Sequence, residues 1–192
     1  VLADLLVTAN SGGDTTYFPR LYTAIRQLKD SLEGKTWLVD TGGAWSRDSW
    51  ICRVTENRAP YLIMDGMGYD VIFADGLSVA NLERLQSQIL SQIVSPTQEV
   101  DMQVQDKELR LIPDRNLQEA VVLGNYLKLP LPPQKMIYHL CLDVTNLAIL
   151  ESLFHPVRDD VLPDATISGA VEFVESEARY YQKTHSSKPS PE

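Results

Sequence analysis

Histidine is scarce in this chain: three in 192 residues, His139, His155 and His185, with none between positions 77 and 138. Any centre that relies on imidazole has few candidates to draw on. Cysteine is scarcer still. Cys52 and Cys141 form no metal-ligand spacing and outline no disulfide framework, so two free buried thiols are expected, with a bridge between them as the alternative. No apolar run approaches the roughly 20 residues that span a bilayer. Basic residues are outnumbered: 17 Lys and Arg against 26 Asp and Glu leave a net charge of -9. No basic cluster offsets that charge, which argues against a nucleic-acid partner. Internal repeats and a signal-peptide pattern are also missing. The chain starts at Val1 rather than Met, as a processed form or a piece of a longer protein would. Nothing in it names a compartment, and a cytoplasmic location is the default expectation.

What is present reads as α/β. At 192 residues, 44% of them hydrophobic, one domain with an ample core is expected, over residues 1–184, with 185–192 as a polar, disordered tail. Leu2–Thr8 is a short, nearly continuous apolar run, as in a strand buried on both faces. A loop from Ala9 to Asp14 follows, with Thr15 and Thr16 as candidate N-caps and Pro19 in a first turn. Leu21, Ile25, Leu28 and Leu32 recur at helical spacing up to Gly34. Thr36–Asp40 is the next strand, ending in Gly42-Gly43. Ala44–Thr55 suits a short helix or packed loop. Pro60–Gly68 reads as a helix, and Val71–Phe73 as a third strand ending in Ala74-Asp75-Gly76. This βαβ order places the glycine-bearing loops at one edge of a parallel sheet, where open α/β sheets build their sites.

Asn81–Val94 has Leu82, Leu85, Ile89, Leu90 and Ile93 on one helical face, so a helix is expected there. Beyond Pro96 the pattern changes. Val100, Met102 and Val104 alternate with polar residues, as do Leu109 and Leu111, which suggests a hairpin turning at Asp106-Lys107. Asn116–Leu127 fits a helix or a strand. Leu129–Pro133 is a proline-rich loop. Met136–Asp143 and Ile149–Val157 read as antiparallel strands joined at Thr145-Asn146. Ala165–Thr184 closes the chain as a helix with Ile167, Val171, Val174, Ala178 and Tyr181 on one stripe. Two packed mixed sheets flanked by helices fit this order.

Leu5-Leu6-Val7-Thr8, then Trp37–Gly42, then Met67–Ile72 resemble the calcineurin-like metallophosphoesterases, and within them the amino-terminal domain of bacterial 5'-nucleotidases, in a shortened form. Met136–Asp143 and Phe154–Pro163 resemble the late strands of that family. The resemblance covers most of residues 4–180. It implies a sandwich that grips two divalent metal ions and hydrolyses a phosphate ester. Such a clamp needs carboxylates, imidazoles and an amide. Here Asn10 stands at the position of a metal-binding aspartate and Gly12 at that of a histidine. Gly43 stands where the bridging aspartate belongs, Gly76 at the ligand asparagine, and Leu77 at the histidine that assists the leaving group. None of the three histidines matches a family motif. The resemblance therefore implies a vestigial site at Asn10, Gly12, Asp40, Gly43, Asp75, Gly76 and Leu77, with no catalytic residue, no metal ligands and no cofactor.

Each remaining candidate has a plain reading and a functional one. Asp40 caps its own loop through backbone N–H groups or serves a site. Ser11-Gly12-Gly13 is an ordinary turn, or a cradle for an anion at the start of a helix. Asp14, Asp48 and Asp75 are solvated loop acids or a carboxylate pair. His139 is a core histidine or a ligand. Ser11, Ser46 or Ser49 with a distant histidine could form a triad. Trp37, Trp45 and Trp50 pack in the core or form one aromatic patch. Three functions follow. The leading one is a catalytically degenerate domain that binds an unknown protein partner or a small anionic ligand, or plays a structural role. The second is a hydrolase rebuilt on Asp14, Asp40, Asp48, Asp75 and His139. The third is an anion- or nucleotide-binding domain using Ser11, Gly12 and Gly13.

Overall fold

The computed structural model of the chain describes residues 2–104 and 107–186. Its elements, in chain order, are β1 (Leu2–Thr8), α1 (Phe18–Ser31), β2 (Lys35–Asp40), α2 (Trp50–Val54), α3 (Ala59–Gly66), β3 (Val71–Phe73), α4 (Val79–Gln86), β4 (Gln92–Val94), β5 (Val100–Val104), β6 (Lys107–Pro113), β7 (Val121–Leu123), β8 (Tyr126–Leu129), β9 (Met136–Asp143), β10 (Ala148–Pro156) and α5 (Ala165–Ser186). A six-stranded sheet runs β10-β9-β1-β2-β3-β4, and a four-stranded sheet runs β5-β6-β8-β7. Both are mixed. β1 to β4 are parallel, β9 and β10 antiparallel, and in the smaller sheet only β6 and β8 run parallel. The two-sheet sandwich flanked by helices is as expected.

The apolar run in β1 has a direct cause. Ala3, Leu5 and Val7 point into the core between the two sheets, beside Phe73, Leu111, Leu127 and Leu140. Leu6, on the other face, joins Phe18, Leu21, Ile25, Leu38 and Ile72 under the helices. A central strand covered on both faces needs apolar residues at odd and even positions alike. Each such side chain, once fully buried, contributes about 1.5–3 kcal/mol. A third, smaller cluster of Ile51, Cys52, Ala59 and Ala178 locks α2 and α3 against α5.

The expected helix over Asn81–Val94 is corrected to α4 followed by β4, which pairs in parallel with β3. Helical spacing was coincidental at its end: Leu90 is fully exposed, whereas Ile93 is buried in the sheet. The Asp65 carboxylate of α3 accepts from the N–H groups of Leu90 and Ser91 and from Ser91 Oγ, which holds the turn that leads into β4. Neither Thr15 nor Thr16 caps α1. Its N-cap is Tyr17 with no side-chain cap bond, while Asp14 accepts from Thr16 N and Oγ1. The helix ends at Ser31, short of Leu32 and Gly34. Asn116–Leu127 resolves into β7 and the start of β8, turning at Gly124. Of the expected turn at Asp106-Lys107, Lys107 opens β6 and Asp106 lies outside the described residues. α5 reaches Ser186, two residues into the stretch expected to be disordered; 187–192 lie outside the described residues.

Candidate functional site: the tips of the parallel strands

The first three parallel strands end together, and their loops interlock. Asn10 N donates to Gly42 O at 2.8 Å, Gly12 N to Gly43 O at 2.9 Å, and Thr41 N to Thr8 O at 2.9 Å. Gly43 N donates to Asp75 Oδ1 at 2.9 Å, which ties the second loop to the third. Asn10 adopts φ 58° and Gly43 φ 76°. A Cβ at Gly43 would collide with Asn10 Oδ1, so the glycine is required by contact as well as by conformation. At Gly76 a Cβ would run into the Trp45 indole, which fills that side of the third loop. Asn57 Nδ2 closes on Gly76 O at 2.6 Å.

A proline-rich segment covers the other side. Asn10 Nδ2 donates to Pro132 O at 2.9 Å and Thr41 Oγ1 to Pro130 O at 3.0 Å. The Arg115 guanidinium, largely exposed, reaches Asp75 Oδ2 at 3.2 Å. Tyr61 OH donates to Asp75 O at 2.6 Å.

Beneath the tips lies a buried polar chain. Thr8 Oγ1 donates to Asp40 Oδ2 at 2.7 Å and lies 2.8 Å from Tyr69 OH; Gly42 N donates to Asp40 Oδ1 at 2.9 Å. Burial pushes the Asp40 carboxyl up to about 7, against the pull of its bonds from Thr8 and Gly42. Tyr17 and Tyr69 are raised by burial first and by the Asp40 charge second. Asp40 is thus the loop cap of the plain reading, turned inward.

These residues do not fit a pair of divalent ions. Gly12, Gly43 and Gly76 offer no side chain, and Leu77 packs against the helix-side core. The Asn10 amide is spent on Pro132, and Asp75 is shared between Gly43 N and Arg115. Among the described residues no group of three or more His, Cys, Asp or Glu could hold a metal ion. Asp40 and Asp75 do lie at the same edge, as the sequence suggested. His139 does not join them: its Nε2 lies 2.9 Å from Asp4 Oδ1 on β1. That carboxylate borders Gly34, ahead of β2, at the opposite end of the strands. The rebuilt centre on His139 is therefore corrected, as is a triad joining it to Ser11, Ser46 or Ser49. Ser11 Oγ instead faces Ala44 O at 3.5 Å, and Ser49 Oγ donates to Gly13 O.

The anion cradle is also largely used up. Gly12 N is bound to Gly43 O, and the Asp14 carboxylate takes the N–H and hydroxyl of Thr16, two residues ahead of α1. Both cysteines are free thiols, but only Cys52 is buried; Cys141, on β9, is partly exposed, which corrects the expectation of two buried thiols. The tryptophans do not form one patch. Trp37 packs against the inter-sheet core under Lys35, whereas Trp45 and Trp50 pack beside α2 and α5. Sequence reasoning missed Tyr69, the Trp45–Gly76 fit and the cover by Pro130 and Pro132. The proline run was a visible signal for the last, without its target.

No protein-family model matches this sequence, and no curated protein matches it. Solved structures do. The sulfate thiohydrolase SoxB of Thermus thermophilus superposes with a TM-score of 0.64 at 12% identity, over 96% of this chain and 61% of its own. The NAD nucleotidase of Haemophilus influenzae gives 0.65 at 6% identity, over 94% of this chain and 60% of its own. The calcineurin-like phosphoesterase YfkN of Bacillus subtilis gives 0.61 at 9%, over 95% of this chain and 99% of its own. The chain has the calcineurin-like phosphoesterase fold, in the form shared with 5'-nucleotidases. Within that fold it is a domain without a metal-binding cluster among its described residues, and it spans about three fifths of the thiohydrolase and the NAD nucleotidase. No helix among the described residues is long and apolar enough to cross a membrane.

Proposed function

We propose that this chain is a catalytically degenerate phosphoesterase-fold domain with a binding or structural role. One observation carries the reading: the strand tips, where the fold would hold its metal ions, are knitted shut by the chain's own backbone. Asn10, Gly12, Gly43, Asp75 and Gly76 are bonded or packed to one another and to Pro132 and Trp45. Hydrolysis by two metal ions needs open coordination positions and a bridging carboxylate. Asn10, Gly12, Asp40, Gly43, Asp75, Gly76 and Leu77 are then vestiges that now serve loop packing.

The test is metal content together with turnover. Protein purified from medium supplemented with manganese and zinc is expected to hold well under one ion per chain by mass spectrometry. It is expected to leave p-nitrophenyl phosphate, bis-p-nitrophenyl phosphate and a nucleotide panel unhydrolysed. Stoichiometric metal with metal-dependent turnover would overturn the proposal.

A further inference from the structure

The two margins of the six-stranded sheet are built differently. At one, β4 has three residues and is followed by Ser95-Pro96, a short margin that offers little to a neighbour. At the other, β10 has nine residues. Among the described residues, no hydrogen bond from outside its pairing with β9 reaches the backbone of Glu151–His155. Leu150 (57% exposed), Leu153 (46%) and Phe154 (41%) stand in solvent along it. Next to β10 lies β7, the margin of the smaller sheet, with Leu123 also exposed. The nine residues of β10 and the three of β7 hold a single formal charge, Glu151. In a chain of net charge -9, this is a side where two copies meet with little repulsion.

We propose that β10 is a homodimerisation strand, pairing antiparallel with β10 of a second copy about a twofold axis at Leu153. The register follows from the side-chain alternation. Phe154 leans on Tyr138, toward the smaller sheet, with ring centroids 4.7 Å apart. Ser152 shares that face, and Glu151, Leu153 and His155 share the opposite one. The irregularity in β10 falls between Ile149 and Glu151, so Glu151–His155 is regular strand. Centring on Leu153 sets that leucine against its own copy and Ser152 against Phe154. It also sets Glu151 of each copy against His155 of the other. Residues directly opposite on antiparallel strands have Cβ atoms about 4.5–5.5 Å apart, close enough for the carboxylate to meet the imidazole. The pairing satisfies the open backbone ladder and covers the leucines.

The dimer does not depend on whether the strand tips are catalytically dead, and its measurement is separate from metal content and turnover. Analytical ultracentrifugation of the full chain at 5–200 µM (about that range, chosen to bracket weak dimers) is expected to show twice the 21.6 kDa chain mass at the upper concentrations. Leu153→Lys is expected to give monomer throughout, with an unchanged circular dichroism spectrum. Glu151→Lys is expected to weaken the dimer at least tenfold, and adding His155→Glu to restore it, because the opposed charges are then exchanged. Monomer at every concentration would overturn the proposal. So would a dimer that survives Leu153→Lys but is lost on Phe173→Lys, which lies in the groove of about 300 Å³ between α3 and α5. Failure of the charge exchange to restore pairing would overturn the Leu153 register.

Discussion

The strand tips and the β10 margin make opposite use of polar groups. At the tips, loops that offer glycines and acids have turned their N–H groups, amides and carboxylates on each other. At β10 a full row of backbone groups is left outward, beside exposed leucines. The loop edge of the parallel strands is a joint, and an open row of donors and acceptors stands elsewhere. Under the proposed function, loss of a site involves more than deletion of ligands. On that reading the surrounding backbone closes as well, and the closed form resists a return.

That resistance gives the largest expected effect. Placing a carboxylate at the tip of the second loop, Gly43→Asp, forces a side chain into a left-handed conformation and against Asn10. Together, strain and overpacking are expected to cost about 2–5 kcal/mol, read as a lowered urea midpoint, with no gain of manganese by titration calorimetry. A stable variant that binds metal would break the contrast.

Next in size is Asp40. Its carboxyl titrates at about 7 in the folded chain against an ordinary 3.8. Between those values the folded state keeps a proton that the unfolded chain has released. Stability from this group therefore falls as pH rises from about 4 to 7, and levels off above. Asp40→Asn is expected to flatten that slope, which amounts to a few kcal/mol, on the order of 1.4 per pH unit, and to leave the chain at least as stable at pH 8. Urea midpoints taken from pH 4 to 8 on both proteins decide it. A slope unchanged by the substitution would remove Asp40 as its source.

The smallest effect belongs to the rim. Arg115 is mostly solvent-exposed, and its pair with Asp75 is screened. Arg115→Ala is expected to cost less than about 1 kcal/mol by the same measurement, and less again in high salt. A larger loss would mean that the cover over the tips rests on this pair rather than on the prolines.

Much of the scaffold was legible because its cause is local. The double-sided burial of β1 is written in its continuous apolar run, and the alternation at Val100–Val104 and Leu109–Leu111 marks strands with one wet face. Met136–Asp143 and its partner read correctly for the same reason. The misread segments answer to distant residues. The turn after α4 is held by the Asp65 carboxylate from α3, and β4 by a berth beside β3. At the strand tips, Gly12, Gly43 and Gly76 bring no side chain, and absence of a side chain is visible in letters. It could not show that Trp45 fills the space at Gly76, or that Asn10 is held by Pro132. Those facts belong to segments that meet only in three dimensions.

The link from Asn10 to Pro132 has a consequence for how the chain is made, for its ends lie 122 residues apart. During synthesis, β1, β2 and β3 leave the ribosome long before the segment that seals them, and β1 also waits for β9 to occupy its free flank. Until Pro132 and β9 have emerged, the nascent protein must carry an unsealed end and a central strand with one flank open. Closure is thus a late event of high sequence separation, the slow kind of step in folding. The interval before it is when a chaperone or a premature neighbour would find the most to hold.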